Sequence, residues 1–284
     1  MSSLKEIKIR IASVNSTKKI TSAMKMVSSA KLHHSQGVIE NLLPYEQQLR
    51  GILHNFLAAN ADLETPFAQP RPVRKVAIVA FSSNSGLCGT FNANVIKELA
   101  VRIQKYKEEQ IDVLLYPIGK KVAEALKKEG YIIEKDFQQL IDKPDYKGAV
   151  NLATELMALF ESEEVDKVEL LYHHFKSSAI QQLLWRDWLP ANLSQDGESE
   201  TDADNYIIEP SPETMLNELL PKVLRLSIYA VLLDTVTSEH AARVLAMQTA
   251  SDNANELLQE LTLQYNKSRQ QAITNELLDI IGGR

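Results

Sequence analysis

The chain has 284 residues, 44% hydrophobic and 24% charged, an ordinary soluble balance that predicts one packed core or a core plus an appendage. No run approaches the roughly 18 apolar residues of a membrane-spanning helix, and the N-terminus lacks the apolar core of a secretory signal. The single cysteine, Cys88, excludes an internal disulfide and suits a reducing compartment, while the net charge of −6 is unevenly spread.

The chain opens on a helical pattern from Ser2 to about Leu57. Leu4, Ile7, Ile11 and Val14 fall at i, i+3, i+7 and i+10, the narrow seam of a coiled coil. Pro44 is the one proline in this stretch and marks a possible kink site. At 1.5 Å per residue the helix would run roughly 80 Å, so it must project from any small domain. Its stretch "ITSAMKMVSSAKLHHSQ", 20–36, is small-residued and lysine-bearing where a core helix would show a broad apolar stripe. Residues 1–31 carry seven Lys and Arg against Glu6 alone, whereas "SQDGESETDADNYIIE", 194–209, carries six acids and no base. A basic rod on an acidic protein is expected to meet something acidic; a solvated helix face is the competing reading.

A proline-rich linker, "ETPFAQPRPVRK", follows, and then the period changes. "KVAIVAF" reads as a buried parallel strand. After a turn come a helix through "NANVIKELAVRIQKYKEE", strand "IDVLLYPIG", helix "KKVAEALKKEG", strand "YIIEKDF", a helix around "AVNLATELMALFES" and strand "KVELLYHHF". An apolar stretch from Ser178 to Leu189 closes the series. This alternation predicts a Rossmann-like α/β domain with a largely parallel sheet, and the polar segment 194–205 reads as a surface insertion.

Between Pro221 and Gly282 there is neither Gly nor Pro. Leu224, Ile228 and Val231 keep an i, i+4, i+7 spacing, as do Ile273, Leu277 and Ile280. A helix of roughly 90–100 Å needs a partner face. The N-terminal helix is the obvious one, and the pair would run antiparallel. The predicted fold class is therefore α/β, a central head at 74–209 carrying a shaft of helices 1–60 and 210–284, with 61–73 as linker.

"SSNSGLCGTFN", Ser82–Asn92, stands where a dinucleotide-binding protein places its phosphate loop, but it is neither G-x-G-x-x-G nor a P-loop, so a structural turn is expected. His33–His34 and His173–His174 are adjacent pairs whose side chains diverge on a helix or strand, which argues against a metal site. Trp185 and Trp188 are expected to pack in the head. No catalytic constellation and no cofactor site is predicted.

The segments "KEIKIRIASVNSTKKITSAMKMVSSAKL", "SGLCGTFN" and "SEHAARVLAMQTASDNANELLQELTLQYNKSRQQAITNELLDIIGG" together resemble the gamma subunit of F-type ATP synthases, over the whole chain and in the right order. The resemblance implies an antiparallel coiled coil that turns inside a ring of three alpha and three beta subunits. It also implies a c ring and an epsilon subunit as partners, no nucleic acid and no lipid insertion. Four positions match residues that the family uses against the beta subunits: Met24, Arg243, Gln270 and Thr274. An arginine at 243 could engage a carboxylate through two parallel hydrogen bonds, which a lysine would not fully replace. The resemblance further implies a non-catalytic subunit, and the missing presequence suggests a bacterial one at the cytoplasmic face of the inner membrane. This sequence departs from the family at the loop: many members have Asp-Arg or Asp-Lys before "GLCGG", where Asn84 and Ser85 stand here and Thr90 follows Gly89. Two other readings stay open on the residues alone, an α/β enzyme with a helical oligomerisation hairpin and a basic rod that binds nucleic acid.

Overall fold

The computed structural model describes residues 4–59, 65–133, 135, 137–191, 209 and 211–283; the acidic segment 194–205 lies outside them. In chain order the elements are α1 (Leu4–Ala59), a 3-10 turn (Pro66–Ala68), β1 (Lys75–Phe81), α2 (Phe91–Glu108), β2 (Asp112–Ile118), α3 (Lys120–Lys128), α4 (Gln139–Asp142), α5 (Tyr146–Glu161), β3 (Lys167–Ser177), β4 (Ile180–Leu189) and α6 (Pro212–Gly282).

The seam suggested by the first four apolar residues of α1 continues along the whole helix. Ile7, Val14, Thr21, Ser28, Ser35, Leu42, Leu49 and Phe56 recur every seven residues, and the positions three residues before each of them, 4 to 53, form the second line; all are buried or half-buried. On α6 the matching lines are Met247, Ala254, Leu261 and Ser268, and Ser251, Leu258, Tyr265 and Ala272. A strict seven-residue repeat makes two helices coil left-handedly around each other. The hydroxyls of Ser22 and Ser251 meet at 3.0 Å across the pair, which shows the antiparallel register. The middle of the seam buries Thr21, Ser28 and Ser35 on one line, with Leu32 on the other, so small side chains allow the helices to approach closely there.

The partner predicted for the end of α6 is not α1. With 71 residues against 56, α6 outruns its neighbour, and 273–283 are all exposed. Ile273, Leu277 and Ile280 thus keep a helical spacing while standing exposed among the described residues.

Three strands of the head run parallel in the order β2–β1–β3, and β4 joins the β3 edge antiparallel. Ser178 to Leu189, predicted only as apolar, supplies β4. Alternation along β1 serves two layers: Val76, Ile78 and Ala80 face α2 and α3, while Ala77, Val79 and Phe81 face α5 and α6. Leu49, Leu53 and Phe56 of α1 enter that second core beside Leu224, Ile228 and Val231 of α6, so both shaft helices root in the head.

"YIIEKDF" is not a strand at any of its described residues. Gly130, at φ 83°, ends α3, and the Tyr131 N–H turns back to the Leu126 carbonyl at 3.0 Å while Gly130 N–H bonds Lys127. That helix-closing motif takes the backbone donor a ladder would need.

The head grips α6 through a row of polar contacts. The Trp188 indole N–H donates to Ser227 Oγ at 2.8 Å. Asp234 pairs with His174 Nδ1 and accepts the Phe175 N–H, both at 2.7 Å. Ser238 donates to the His173 carbonyl at 3.1 Å.

Candidate partner-contact surface

The loop at the phosphate-loop position, between β1 and α2, folds back on the N-terminus of the neighbouring helix α3 and fills it. At the N-terminus of α3, the Val122 N–H donates to Ser82 Oγ at 3.1 Å, Lys121 N–H to the Ser83 carbonyl, and Lys120 N–H to Asn84 Oδ1 at 2.8 Å. These are the donors an anion would take. Gly119 is obligatory here, since a Cβ would stand 2.2 Å from the Ser82 carbonyl oxygen. At the strand-order switch between β1 and β3, where such folds seat ligands, Phe91 stacks on His173 with centroids 4.1 Å apart. Asn84 and Ser85, the departures from the family pattern, are both employed: Asn84 Nδ2 also donates to the Gln138 carbonyl at 2.9 Å.

Ser85 belongs to a latch. Arg243 on α6 is 7% exposed. Its Nη1 donates to the Gly86 carbonyl, and its Nη2 donates to Ser85 Oγ at 2.9 Å and to Glu239 at 2.6 Å. Burial pushes the Glu239 carboxyl above the usual range, and the bond to Arg243 works against that. Beside it, burial holds the His240 imidazole down to about 4, with Lys31 and Arg243 adding to the effect. Both terminal nitrogens of Arg243 are thus committed within the chain, before any carboxylate of a partner is considered.

Met24 is half-buried and lies with Arg243 along one cleft of about 920 Å³ between α1, the loop after β1 and the segment around Asp142. Gln270 and Thr274 are elsewhere. They sit exposed on α6, ~40 Å along the helix from Arg243 at 1.5 Å per residue, and the Thr274 hydroxyl donates to the Gln270 carbonyl at 2.9 Å. The four predicted residues therefore form two places, one at the neck of the shaft and one near its tip.

His173 and His174 diverge as expected. His173 is buried against Phe91 on one face of β3, and His174 meets Asp234 on the other. Among the described residues no group of His, Cys, Asp and Glu is placed to hold a metal ion. Trp188 is core, while Trp185 lies under the Arg102 guanidinium at 4.4 Å. Glu239 is a further residue of this neck, and its spacing four residues before Arg243, that of a helical ion pair, is visible in the chain. The φ of 63° at Leu87 leaves no mark in the sequence.

The family model described as ATP synthase matches residues 3–284. The ATP synthase gamma chain of Parabacteroides distasonis is 59% identical over 283 residues, covering 100% of this chain and 98% of that one. That of Phocaeicola vulgatus is 58% identical over 286 residues, covering 100% and 99%. Among solved structures, a chain of the Euglena gracilis mitochondrial ATP synthase in rotational state 3 aligns with a TM-score of 0.65 at 18% identity, over 99% of this chain and 93% of that chain. A chain of the Tetrahymena thermophila mitochondrial ATP synthase, from its central stalk and c ring, aligns with a TM-score of 0.61 at 24% identity, over 82% and 99%. The structural likenesses establish the fold, and the end-to-end sequence relatives, joined to a two-helix shaft rooted in an α/β head, place the chain in the ATP synthase gamma chain family.

Proposed function

We propose that this chain is the central rotor shaft of an F-type ATP synthase, coupling ion-driven rotation of a membrane c ring to nucleotide turnover in a ring of three alpha and three beta subunits. The observation that carries the reading is the tip. Ile273, Leu277, Leu278, Ile280 and Ile281, 48% to 75% exposed, crown a single helix that has outrun its partner. Covering five such side chains is worth on the order of 5 kcal/mol, which a surrounding protein sleeve would supply.

The mechanism is mechanical. A shaft with one helix longer than the other, a basic flank and a head on one side presents a different face to each beta subunit. Each face biases its neighbour toward a different nucleotide affinity, a population shift driven by differential contacts. Along the seam the small residues Thr21, Ser28 and Ser35 are buried, while Ile20, Met26 and Val27 stand 59% to 67% exposed on the outer side, where the ring would meet them. Met24 at the neck and Gln270 and Thr274 near the tip make the contacts to the beta subunits, and Arg243 contributes through the loop it holds. The chain is non-catalytic by itself: it supplies asymmetry, and the reacting groups belong to the ring. Among the described residues no helix is long and apolar enough to cross a membrane, which supports a peripheral place. We assign it to the cytoplasmic face of a bacterial inner membrane, with the c ring and an epsilon subunit at the head end.

The test is ATP hydrolysis by the alpha and beta subunits of the same bacterium with and without this chain. A complex of three alpha, three beta and one shaft, with a large gain in turnover, is the expected result. A folded chain that neither assembles nor activates, or that alone binds nucleotide tightly, overturns the reading in favour of an enzyme.

A further inference from the structure

We propose that Asp234 is the joint between head and shaft: with Ser238 it clamps the end of the β3–β4 ribbon onto α6, so that rotation entering at the head turns the shaft without slack. The inference rests on the rotor reading and gives the coupling a named residue.

The ribbon outruns the sheet that carries it. β1 pairs with β3 only as far as Ala80 with Leu171, whereas the β3–β4 ladder continues to Ser177 with Ile180. Beyond Leu171 the two strands form an arm that extends about 20 Å at the rise of a strand. The base of the arm belongs to the head, where His173 stacks on Phe91 of α2. Toward α1 the arm faces a groove of about 570 Å³, which runs between Ile39 and Leu43 on one side and Phe175 and Leu184 on the other. Its hold on the shaft therefore falls to α6.

That hold is polar. Asp234 meets His174 Nδ1 with one carboxylate oxygen and accepts the Phe175 N–H with the other, both at 2.7 Å, and Ser238 donates to the His173 carbonyl at 3.1 Å. The ladder is irregular between Phe175 and Ser177, and there a side chain of the shaft supplies the acceptor.

A carboxylate is a costly choice at this position. Val231, Leu232, Leu233 and Val236 around it on α6 are buried, and burial pushes the Asp234 carboxyl up while the bonds from His174 and Phe175 work against that. A leucine would bury more apolar surface with no charge to desolvate. What the aspartate adds is two acceptors that fix one position of the arm along the helix. Ser227, Asp234 and Ser238 fall at i, i+7 and i+11, one stripe of α6. Trp188 holds the first and the arm holds the other two, so the head grips about 16 Å of helix. Rigid, packed elements of this kind carry coupling between distant places. Asp234 is thus a positioning residue: it acts through the arm and touches no nucleotide.

The experiment uses the full chain assembled with its alpha and beta subunits, with the ring fixed to a surface. A gold particle is attached to the head at the exposed position of Lys107→Cys, Cys88 being buried. Its angular spread during a pause reads the slack between head and shaft. We expect Asp234→Ala to widen the spread at least 1.5-fold while activation of ATP hydrolysis stays within twofold of the parent, because the ring reads the shaft. Asp234→Asn, which keeps an acceptor for Phe175, should widen it less. Asp234→Ala combined with Ser238→Ala should widen it more. Leu126→Ala, a cavity between the sheet and α3 on the side turned from α6, should leave it unchanged. Faster hydrogen exchange of the Phe175 amide shows that the clamp is open, and an unchanged spread in that state overturns the proposal. Equal widening by Leu126→Ala overturns it as well, since general softening would then explain the effect. If the Asp234→Ala chain does not fold, Ser238→Ala with His174→Ala carries the same test. Failure of the unsubstituted chain to assemble or activate would instead count against the rotor reading.

Discussion

Burial sets the charge state of His173. Its ring is 2% exposed against Phe91, and burial lowers its pKa from 6.5 to about 4. Because the folded value is the lower one, the unfolded chain takes up the proton first on acidification. The neutral form supports full stability above pH 6.5, and roughly 3 kcal/mol is lost as pH falls from 6.5 through about 4. Urea unfolding at pH 7 and pH 5 measures this together with the similar share from His240, and His173→Phe, which keeps a ring over Phe91, should shrink the difference without abolishing it. At the same scale, Ser227→Ala would strand the buried Trp188 indole N–H and should cost about 1–3 kcal/mol by the same measurement. Residue by residue, legibility followed local spacing. The divergence of the histidine pair and the i, i+4 relation of Glu239 and Arg243 are local geometry and visible in the chain. The latch to Ser85 and Gly86 joins residues about 157 apart, and no spacing rule reaches that far.

Elements separate two substitutions that look equivalent in sequence. Ser28 is buried in the α1–α6 seam, and Ser29, one residue on, is exposed. Ser28→Leu should push the helices apart and destabilise by about 1–3 kcal/mol. Ser29→Leu should leave stability within about 0.5 kcal/mol while adding a knob to the outer surface. In the assembled complex Ser29→Leu is then expected to slow rotation in a single-molecule assay, and unchanged rotation would mean that this face of α1 does not meet the ring. The helices were readable because a seven-residue repeat over 56 residues survives any local irregularity. The segment after α3 was misread because Tyr-Ile-Ile is β-prone, and that propensity was followed over the local signal of Gly130, which closes the helix and takes the Tyr131 N–H.

For the whole molecule, the tip and the fold are separable. Ending the chain at Ala272 removes residues that are all exposed among the described ones, so the melting temperature should hold within the error of a thermal melt. Retention in the alpha–beta ring and activation of hydrolysis should fall, as sedimentation and turnover would show. A fall in melting temperature of several degrees would mean that the tip belongs to the fold.

The sequence by itself determined the long-period features: two helices too long to stand alone, a strand–helix alternation between them, a basic rod on an acidic chain, and an end-to-end likeness to one family. These are set by hydrophobic periodicity, which each segment carries in its own residues. Only the tertiary structure decided where one helix outruns the other, that Arg243 faces inward to a loop of the head, and that Leu87 faces out. Those depend on register and on contacts between residues far apart in the chain, and such pairings are chosen by packing the whole molecule at once.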